Sequence, residues 1–532
     1  MMLDDSYSRV SALLAKSFPP ELVVSDPEKV ADWDSGYGIY ARTPRFVVVL
    51  ENEDQVRSLL SVADRAGVSV TFRAAGTSLC GQTVSDSILA ALGDGWNKCQ
   101  VERDGERIRL QPGVFGAEAN RALAPYGRKI GPDPASLDIA KIGGIVANNA
   151  SGMCCGTAEN SYRTLAAIRV ILADGAIIDT GDAESVRAFS KSHGAMLDQL
   201  DRLARRTKAD PVLSERIRRK YQIKNTVGYS LNALVDFDDP IDILAHLMIG
   251  SEGTLGFISE ITLRSVPHHA HQAVAFLLFP DVVAACKVVT ALRLGAPVTA
   301  VEVMNQTAIG MRVAQGDTPA YVRGLHEAAT TLLVETRAAD ANALVAQVAA
   351  VEAALEDFSP RYLVPFTSDP AQTEELWAIR KGRRSFISGA GRSHGPIILG
   401  EDVAFPIEHL AEATADLQKL LHDHGYPPAA ILGHALEGNL HFSFALDFSK
   451  TDEVERFRRL TDGLVELVVD RYDGSLKAEH GTGRAMAPFV EREWGSKALE
   501  LMRDIKQLFD PRGLLNPGVV LSGDPDAHLR FR

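Results

Sequence analysis

At 532 residues the chain is too long for one ordinary core, and domains of ~100–200 residues make two to four substructures the expectation. Hydrophobic residues at 46% and charged residues at 23% are ordinary globular proportions. The net charge of −13 argues against non-specific nucleic-acid binding, which depends on Lys and Arg neutralising phosphates, but leaves room for a local basic pocket for an acidic substrate.

No apolar run approaches the ~20 residues that span a bilayer. The acidic start MMLDDSYSRVSALLAKSFPP lacks the apolar centre of a secretory signal. Cys80, Cys99, Cys154, Cys155 and Cys286 form no zinc or iron–sulfur spacing, and their odd number speaks against a disulfide framework. A reducing cytoplasm is the expected compartment, with peripheral attachment to the inner membrane as its variant.

No internal repeat occurs. RFVVVL (45–50) reads as a strand, DQVRSLLSVADRAG (54–67) as a helix stopped by Gly67, and VSVTFR (68–73) as a strand. LAAIRVILADGAIIDT (165–180) reads as two strands joined at Asp174-Gly175. The strand ISEITLRSV ends the first part, with a boundary at 268. Beyond it VAFLLF (274–279), LLVET (332–336), GPIILGEDVAF (395–405) and AAILGHALEGNLHFSFAL (429–446) read as strands. Helical stretches at 281–294, at 341–356 and up to about 424 alternate with them. That pattern predicts an α+β layer, an antiparallel sheet with helices on one face, over 269–474. A last part, 475–532, contains a helix and LLNPG.

Three segments are rich in small and polar residues: RAAGTSLCGQ (73–82), GPDPAS…KIGGIVANNASGMCCGTAEN (131–160) and GSEGTLGFI (250–258). Glycine permits positive φ and close backbone approach, and successive N–H groups in such turns make anion-binding nests. Each loop alone could be a set of tight turns. Together they could wrap a pyrophosphate and an adjoining planar ring. None has the G-x-G-x-x-G or G-x-x-x-x-G-K-[ST] pattern, which argues against a Rossmann or an NTPase site.

These segments resemble the flavin loops of the vanillyl-alcohol oxidase type of FAD enzyme. The resemblance implies a two-subdomain FAD-binding domain over 1–268, a cap or substrate domain over 269–474, and a C-terminal segment, 475–532, returning to the flavin. It places Gly76, Thr77, Ser78 and Gly81 on the pyrophosphate. Pro132, Gly143, Gly144, Asn149, Ser151 and Gly152 would follow the flavin and ribityl chain, and Gly253, Ile258 and Asn516 complete the cofactor set. Some members hold FAD through a His in the first loop; Thr77 stands in that region and no His does, so non-covalent FAD is implied.

GHALEGNLHF (433–442) and KAEHGTGR (477–484) carry His434, His441, Glu479 and His480. Two imidazoles and a carboxylate are common ligands of a divalent ion that keeps an open, Lewis-acidic position. A neighbouring His with a pKa near ~6.5 suits base catalysis. His434 and His441 fall on opposite faces of one straight strand and need a turn at Glu437-Gly438 to converge; otherwise they are two unrelated histidines. GH-x₄-GN-x-H followed by EHG resembles the D-lactate and D-2-hydroxyglutarate dehydrogenase branch of this flavoprotein family. The wording is nearest to bacterial D-lactate dehydrogenases with FAD and iron–sulfur clusters. By that resemblance His434, His441 and Glu479 bind Zn²⁺ or a similar ion and His480 is the base.

In ELWAIRKGRRSFISG (375–389), which reads as a helix, Arg380, Arg383 and Arg384 supply charge suited to a carboxylate, or to a solvated face. The family places Arg380 on the substrate carboxylate; Arg383 or Arg384 could meet a second one, and Glu401 and Asp402 could stand at the site edge or only terminate a strand. The implied activity is oxidation of a D-2-hydroxy acid, D-lactate to pyruvate first, by hydride transfer to flavin N5 with the substrate on the metal. The alternatives are D-2-hydroxyglutarate, an FAD oxidase of an alcohol or sugar, and a subunit of a glycolate-oxidase-type complex. The iron–sulfur relatives continue into a cysteine-rich domain, whereas no Cys follows Cys286. The expected electron acceptor is therefore a quinone, a cytochrome, an electron-transfer flavoprotein or a separate iron–sulfur subunit; a homodimer is the expected assembly.

Overall fold

A computed structural model describes residues 2–316, 318–325, 329–381, 397–426 and 429–531, with the side chains of 2–5 excepted. Arg383 and Arg384 lie outside the described residues.

The first part holds two sheets. Strands β1 (Val23–Val24), β2 (Phe46–Leu50), β3 (Val70–Arg73) and β4 (Ile88–Leu92) form a sheet in the order β1-β2-β4-β3, with β2, β4 and β3 parallel. Buried on both faces, β2 can be the continuous apolar run that the sequence shows. The helix Glu53–Ala66 starts where the Asn52 side chain accepts from Gln55 N at 3.0 Å. It stops at Gly67, which takes φ 67°. Its Val56, Leu59, Leu60 and Ala63 pack on Val48 and Leu50, with Val10, Leu14 and Phe18 of the helix Met2–Ser17.

The second sheet contains β5 (Cys99–Glu102), β6 (Arg107–Leu110), β7 (Arg128–Ile130), β8 (Leu165–Ile171), β9 (Ile177–Asp179) and β10 (Phe257–Pro267), with β10 paired to β6, β7 and β8. The Asp174-Gly175 turn does join β8 to β9. Phe257 of β10 packs on Phe72 and Trp96, closing one sheet against the other.

Seven antiparallel strands follow: β11 (His271–Phe279), β12 (Ala300–Met304), β13 (Thr330–Ala338), β14 (Arg361–Thr367), β15 (Ile397–Ala404), β16 (Ala430–His434) and β17 (Asn439–Leu446). Their order is β14-β11-β13-β12-β16-β17-β15. The long helices Val282–Gly295, Ala341–Leu355 and Leu410–Asp423 cover one face, on Leu277, Val301, Val303, Leu332 and Val334. The other face is not bare. Phe276, Met304, Leu333 and Leu432 pack there on Ala308 and Ile309 of the helix Gln306–Ala314 and on Leu376 and Ile379 of the helix Pro370–Lys381. The alternation of the strands (301 and 303 to one side, 302 and 304 to the other) sends two apolar sets in opposite directions.

The last segment returns to the first part. Val70 N donates to Leu514 O and Asn516 N to Val70 O, a parallel bridge onto β3. On the way Ser475 bridges to Ala404 of β15. No helix among the described residues is long and apolar enough to cross a membrane.

Candidate active site

A cavity of about 1470 Å³ lies between the glycine loops and the seven-stranded sheet. From the first loop Gly76, Thr77 and Ser78 line it; from the second Gly143, Gly144 and Ser151; from the third Gly253 and Ile258. Gly144 is exposed to the cavity, and a Cβ there would touch only Ala74 Cβ at 3.7 Å. Glycine at that point leaves room rather than relieving a clash, as a flat or phosphorylated ligand lying on the backbone requires.

Five of the expected cofactor residues stand behind this wall. Pro132 is buried next to Asp133. A Cβ on Gly152 would collide with Asp133 O at 1.9 Å, so that glycine permits loop-to-loop contact. Gly81 packs on the Tyr40 ring in the same way. Asn149 takes φ 48° and accepts from Tyr162 N at 3.2 Å. Asn516 donates to Gln82 O and Glu252 O, both at 2.9 Å, and accepts from Thr71 Oγ1 at 3.1 Å. It thereby ties β3, the first loop and the third loop together.

The opposite wall is built by sheet register. Gly438 takes φ 66° and turns β16 into β17, which brings the two histidines together as the sequence required. Glu302 pairs with His434, Leu432 with His441, and His441 with Asp402. Glu302, His434, His441 and Asp402 therefore point from four adjacent strands to the cavity face. His434 Nε2 and His441 Nε2 lie 3.2 Å and 3.3 Å from Glu479 Oε1. The His480 ring stacks on His441 with centroids 5.2 Å apart. Arg380, on the helix over this face, and His480 both line the cavity.

Glu479 and His480 sit on a loop that all three glycine segments hold. Asn148 of the second loop donates to Glu479 O and Gln82 of the first to His480 O, both at 2.7 Å. Glu252 of the third accepts from Thr482 N at 2.7 Å and Gly483 N at 2.8 Å. Cofactor loops and candidate catalytic loop are one hydrogen-bonded unit.

Of the groups that aim these side chains, sequence reading put Asp402 at the site edge and missed Glu302 and Lys224. Glu302, fully buried, accepts from Arg380 Nε at 2.6 Å and holds His434 Nδ1 at 2.8 Å. Lys224 Nζ donates to Glu479 Oε2 at 2.8 Å, leaving Oε1 to the histidines. Asp402 Oδ2 accepts from Glu479 N at 2.7 Å. An ionisable residue inside AVEVM, and the buried lysine of KYQIKNTV, were the available signals, since a buried charge needs a partner. Arg312 is a further buried cation on the cavity, donating to Arg380 O at 3.2 Å.

The electrostatics follow from these contacts. Burial opposes charge on Glu479, but Lys224 and then His434 outweigh it and hold the carboxylate well below its usual range. Burial also opposes charge on Glu302, and Arg380 and His434 overcome it. Burial, then His441 and Lys477, push His480 well below the ordinary imidazole range, so the ring is neutral near pH 7. Burial and the Glu479 charge push Asp402 up to about 7.

Two family models match the chain: an FAD binding domain over residues 44–181 and the C-terminal domain of FAD linked oxidases over residues 268–520. The chain thus carries both domains of the FAD-dependent oxidoreductase family. Within this family it is 25% identical to the glycolate oxidase subunit GlcD of Bacillus subtilis, over 96% of this chain and 98% of that protein. It is 27% identical to the mitochondrial D-lactate dehydrogenase [cytochrome] of Arabidopsis thaliana, over 90% of this chain and 73% of that one. It is 26% identical to the D-2-hydroxyglutarate dehydrogenase of Haemophilus influenzae, over 88% of this chain but only 46% of that longer protein. In fold it matches the 4-ethylphenol oxidase of Gulosibacter chungangensis at TM-score 0.68 and 15% identity, covering 97% of each chain. It also matches p-cresol methylhydroxylase at TM-score 0.66 and 13% identity, over 98% of this chain and 96% of that one. Both likenesses agree with the vanillyl-alcohol oxidase-type fold expected from the glycine loops.

The donor set fits a metal ion. The ligand-type atoms of His434, His441 and Glu479 all lie within 4.8 Å of one another, close enough to share one ion. A carboxylate on the far nitrogen of His434 is the usual partner of a ligating histidine.

Proposed function

We propose that this FAD-dependent oxidoreductase is a metal-assisted dehydrogenase of a D-2-hydroxy acid, with D-lactate the favoured substrate and non-covalently held FAD. The observation that carries the reading is the convergence of His434, His441 and Glu479 beside Arg380 and His480 on the cavity that the glycine loops line.

FAD, when bound, supplies the two-electron acceptor. A divalent ion, when held by His434, His441 and Glu479, supplies Lewis acidity at the substrate oxygens; zinc suits this N₂O donor set. The remaining work falls to the chain. Arg380, its Nε fixed by Glu302, presents its remaining N–H groups to the substrate carboxylate. That contact and the wall around it fix C2 in one orientation, and orientation is a large part of the barrier reduction. His480, neutral at working pH, takes the hydroxyl proton. Leu432 and Leu436 also line the cavity and suit a methyl group. The likeness to GlcD over nearly all of both chains favours glycolate as second reading. D-2-hydroxyglutarate would need a second cation, for which Arg312 is a buried candidate.

The electron acceptor is proposed to be a separate carrier: a quinone, a cytochrome, an electron-transfer flavoprotein or an iron–sulfur protein. A dye-reduction screen of D- and L-2-hydroxy acids, glycolate included, tests the reading alongside metal analysis. Turnover of D-lactate, loss with chelator and recovery with Zn²⁺, Mn²⁺ or Co²⁺ are expected. Peroxide release from an alcohol or sugar, indifferent to chelator, would replace it with an oxidase.

A further inference from the structure

We propose that Asp402 is the positioning residue of His480, accepting its Nδ1 proton so that Nε2 is the nitrogen offered to the substrate hydroxyl; this rests on the dehydrogenase reading above. The Oδ1 atom of Asp402 and Nδ1 of His480 stand 3.1 Å apart. Both atoms are buried and neither makes a hydrogen bond among the described residues, so the two stand within reach of one another, unsatisfied and not yet aligned. The second carboxylate oxygen is already committed to Glu479 N. One carboxylate therefore sets the backbone of Glu479 and faces the ring of its neighbour.

Its own placement is rigid. Asp402 is fully buried on β15, directly opposite His441 in register. The nearby Lys477 ammonium is paired with Glu401, and lies 3.8 Å from Asp402 Oδ1. The ring of His480 is stacked on His441 and its carbonyl is held by Gln82. With backbone and ring plane set, the remaining choice is which nitrogen carries the proton, and an acceptor at Nδ1 decides it. A carboxylate that fixes the tautomer of a catalytic histidine is a recurrent arrangement, and its alignment tightens when substrate is bound.

The test uses the FAD- and metal-loaded enzyme and its Asp402→Asn and Asp402→Glu variants. Anaerobic flavin reduction by D-lactate should fall about 100-fold or more in Asp402→Asn, with half-saturation within about threefold of wild type. Bound FAD and metal should stay at wild-type stoichiometry, and Asp402→Glu should recover part of the rate. A purely structural role would lower metal content and raise half-saturation instead. Nitrogen NMR of histidine-labelled enzyme gives an answer that needs no turnover. The His480 resonances, assigned by their loss in His480→Asn, should show a protonated Nδ1 in wild type that shifts in Asp402→Asn. An Asp402→Asn rate within about threefold of wild type, a loss of metal, or an unprotonated Nδ1 in wild type each overturns the proposal. Should wild-type enzyme reduce its flavin with no 2-hydroxy acid, the dehydrogenase reading fails, and the NMR result still decides whether Asp402 orients His480.

Discussion

The two walls of the cavity are made by different means. The glycine-loop wall presents backbone, and its critical positions are those where a side chain is missing. The sheet wall presents side chains, and its critical positions are those where a buried charge is held by another buried charge. The first wall should tolerate truncation and fail on enlargement; the second should do the reverse. Substitutions on either side can separate them, because loop changes should cost cofactor and sheet changes should cost chemistry.

The largest effect is expected on the chemistry side. His480→Asn should slow anaerobic flavin reduction by ~10²–10⁴-fold, the usual loss of a general base, with the flavin spectrum unchanged. A loss below tenfold would remove His480 from the chemistry. Arg380→Ala deletes a charged contact of ~1.5–3 kcal/mol, so kcat/KM should drop about 10–150-fold for every 2-hydroxy acid. Equal kinetics in that variant would show that the acid binds elsewhere.

On the loop side Gly144→Val fills the space next to Ala74. FAD affinity, measured by equilibrium fluorescence titration, should weaken about 100-fold, or ~2.7 kcal/mol, with metal content retained. If both cofactors are lost together, the walls are not separable. The smallest effect belongs to Glu302→Gln, which frees His434 Nδ1 and Arg380 Nε from their shared carboxylate. Metal affinity should fall ~10–100-fold, as for other partners of ligating histidines. Affinity within a factor of two by chelator competition would leave Glu302 a structural ion pair only.

The same contrast explains what the sequence disclosed. Glycine loops announce themselves, because glycine meets without strain the backbone demand at Gly76 or Gly253, which take φ 73° and 69°. The strand and helix readings at 45–73 and 165–180 followed from apolar spacing and turn residues and correspond to β2, β3, β8, β9 and the helix between. The convergence of His434 and His441 was legible through Gly438-Asn439. Asp402 was legible only as a residue at the site edge; its pairing, and the places of Glu302 and Lys224, were not, because strand partners lie far apart in sequence and register is a tertiary fact. On the second sheet face the helix Gln306–Ala314 was likewise hidden, whereas the helical reading from residue 375 falls within Pro370–Lys381; that both pack on the sheet was not legible, since a strand buried on both faces loses its polar alternation.

Among these tests one reaches the central claim most directly. Purified enzyme, metal-loaded and anaerobic, is mixed with D-lactate and, separately, with L-lactate while the flavin absorption is followed. The account predicts rapid bleaching by the D-isomer alone, abolished when chelator strips the ion and restored when Zn²⁺ is returned. Bleaching that is equal for both isomers, or that persists in full without metal, would contradict it.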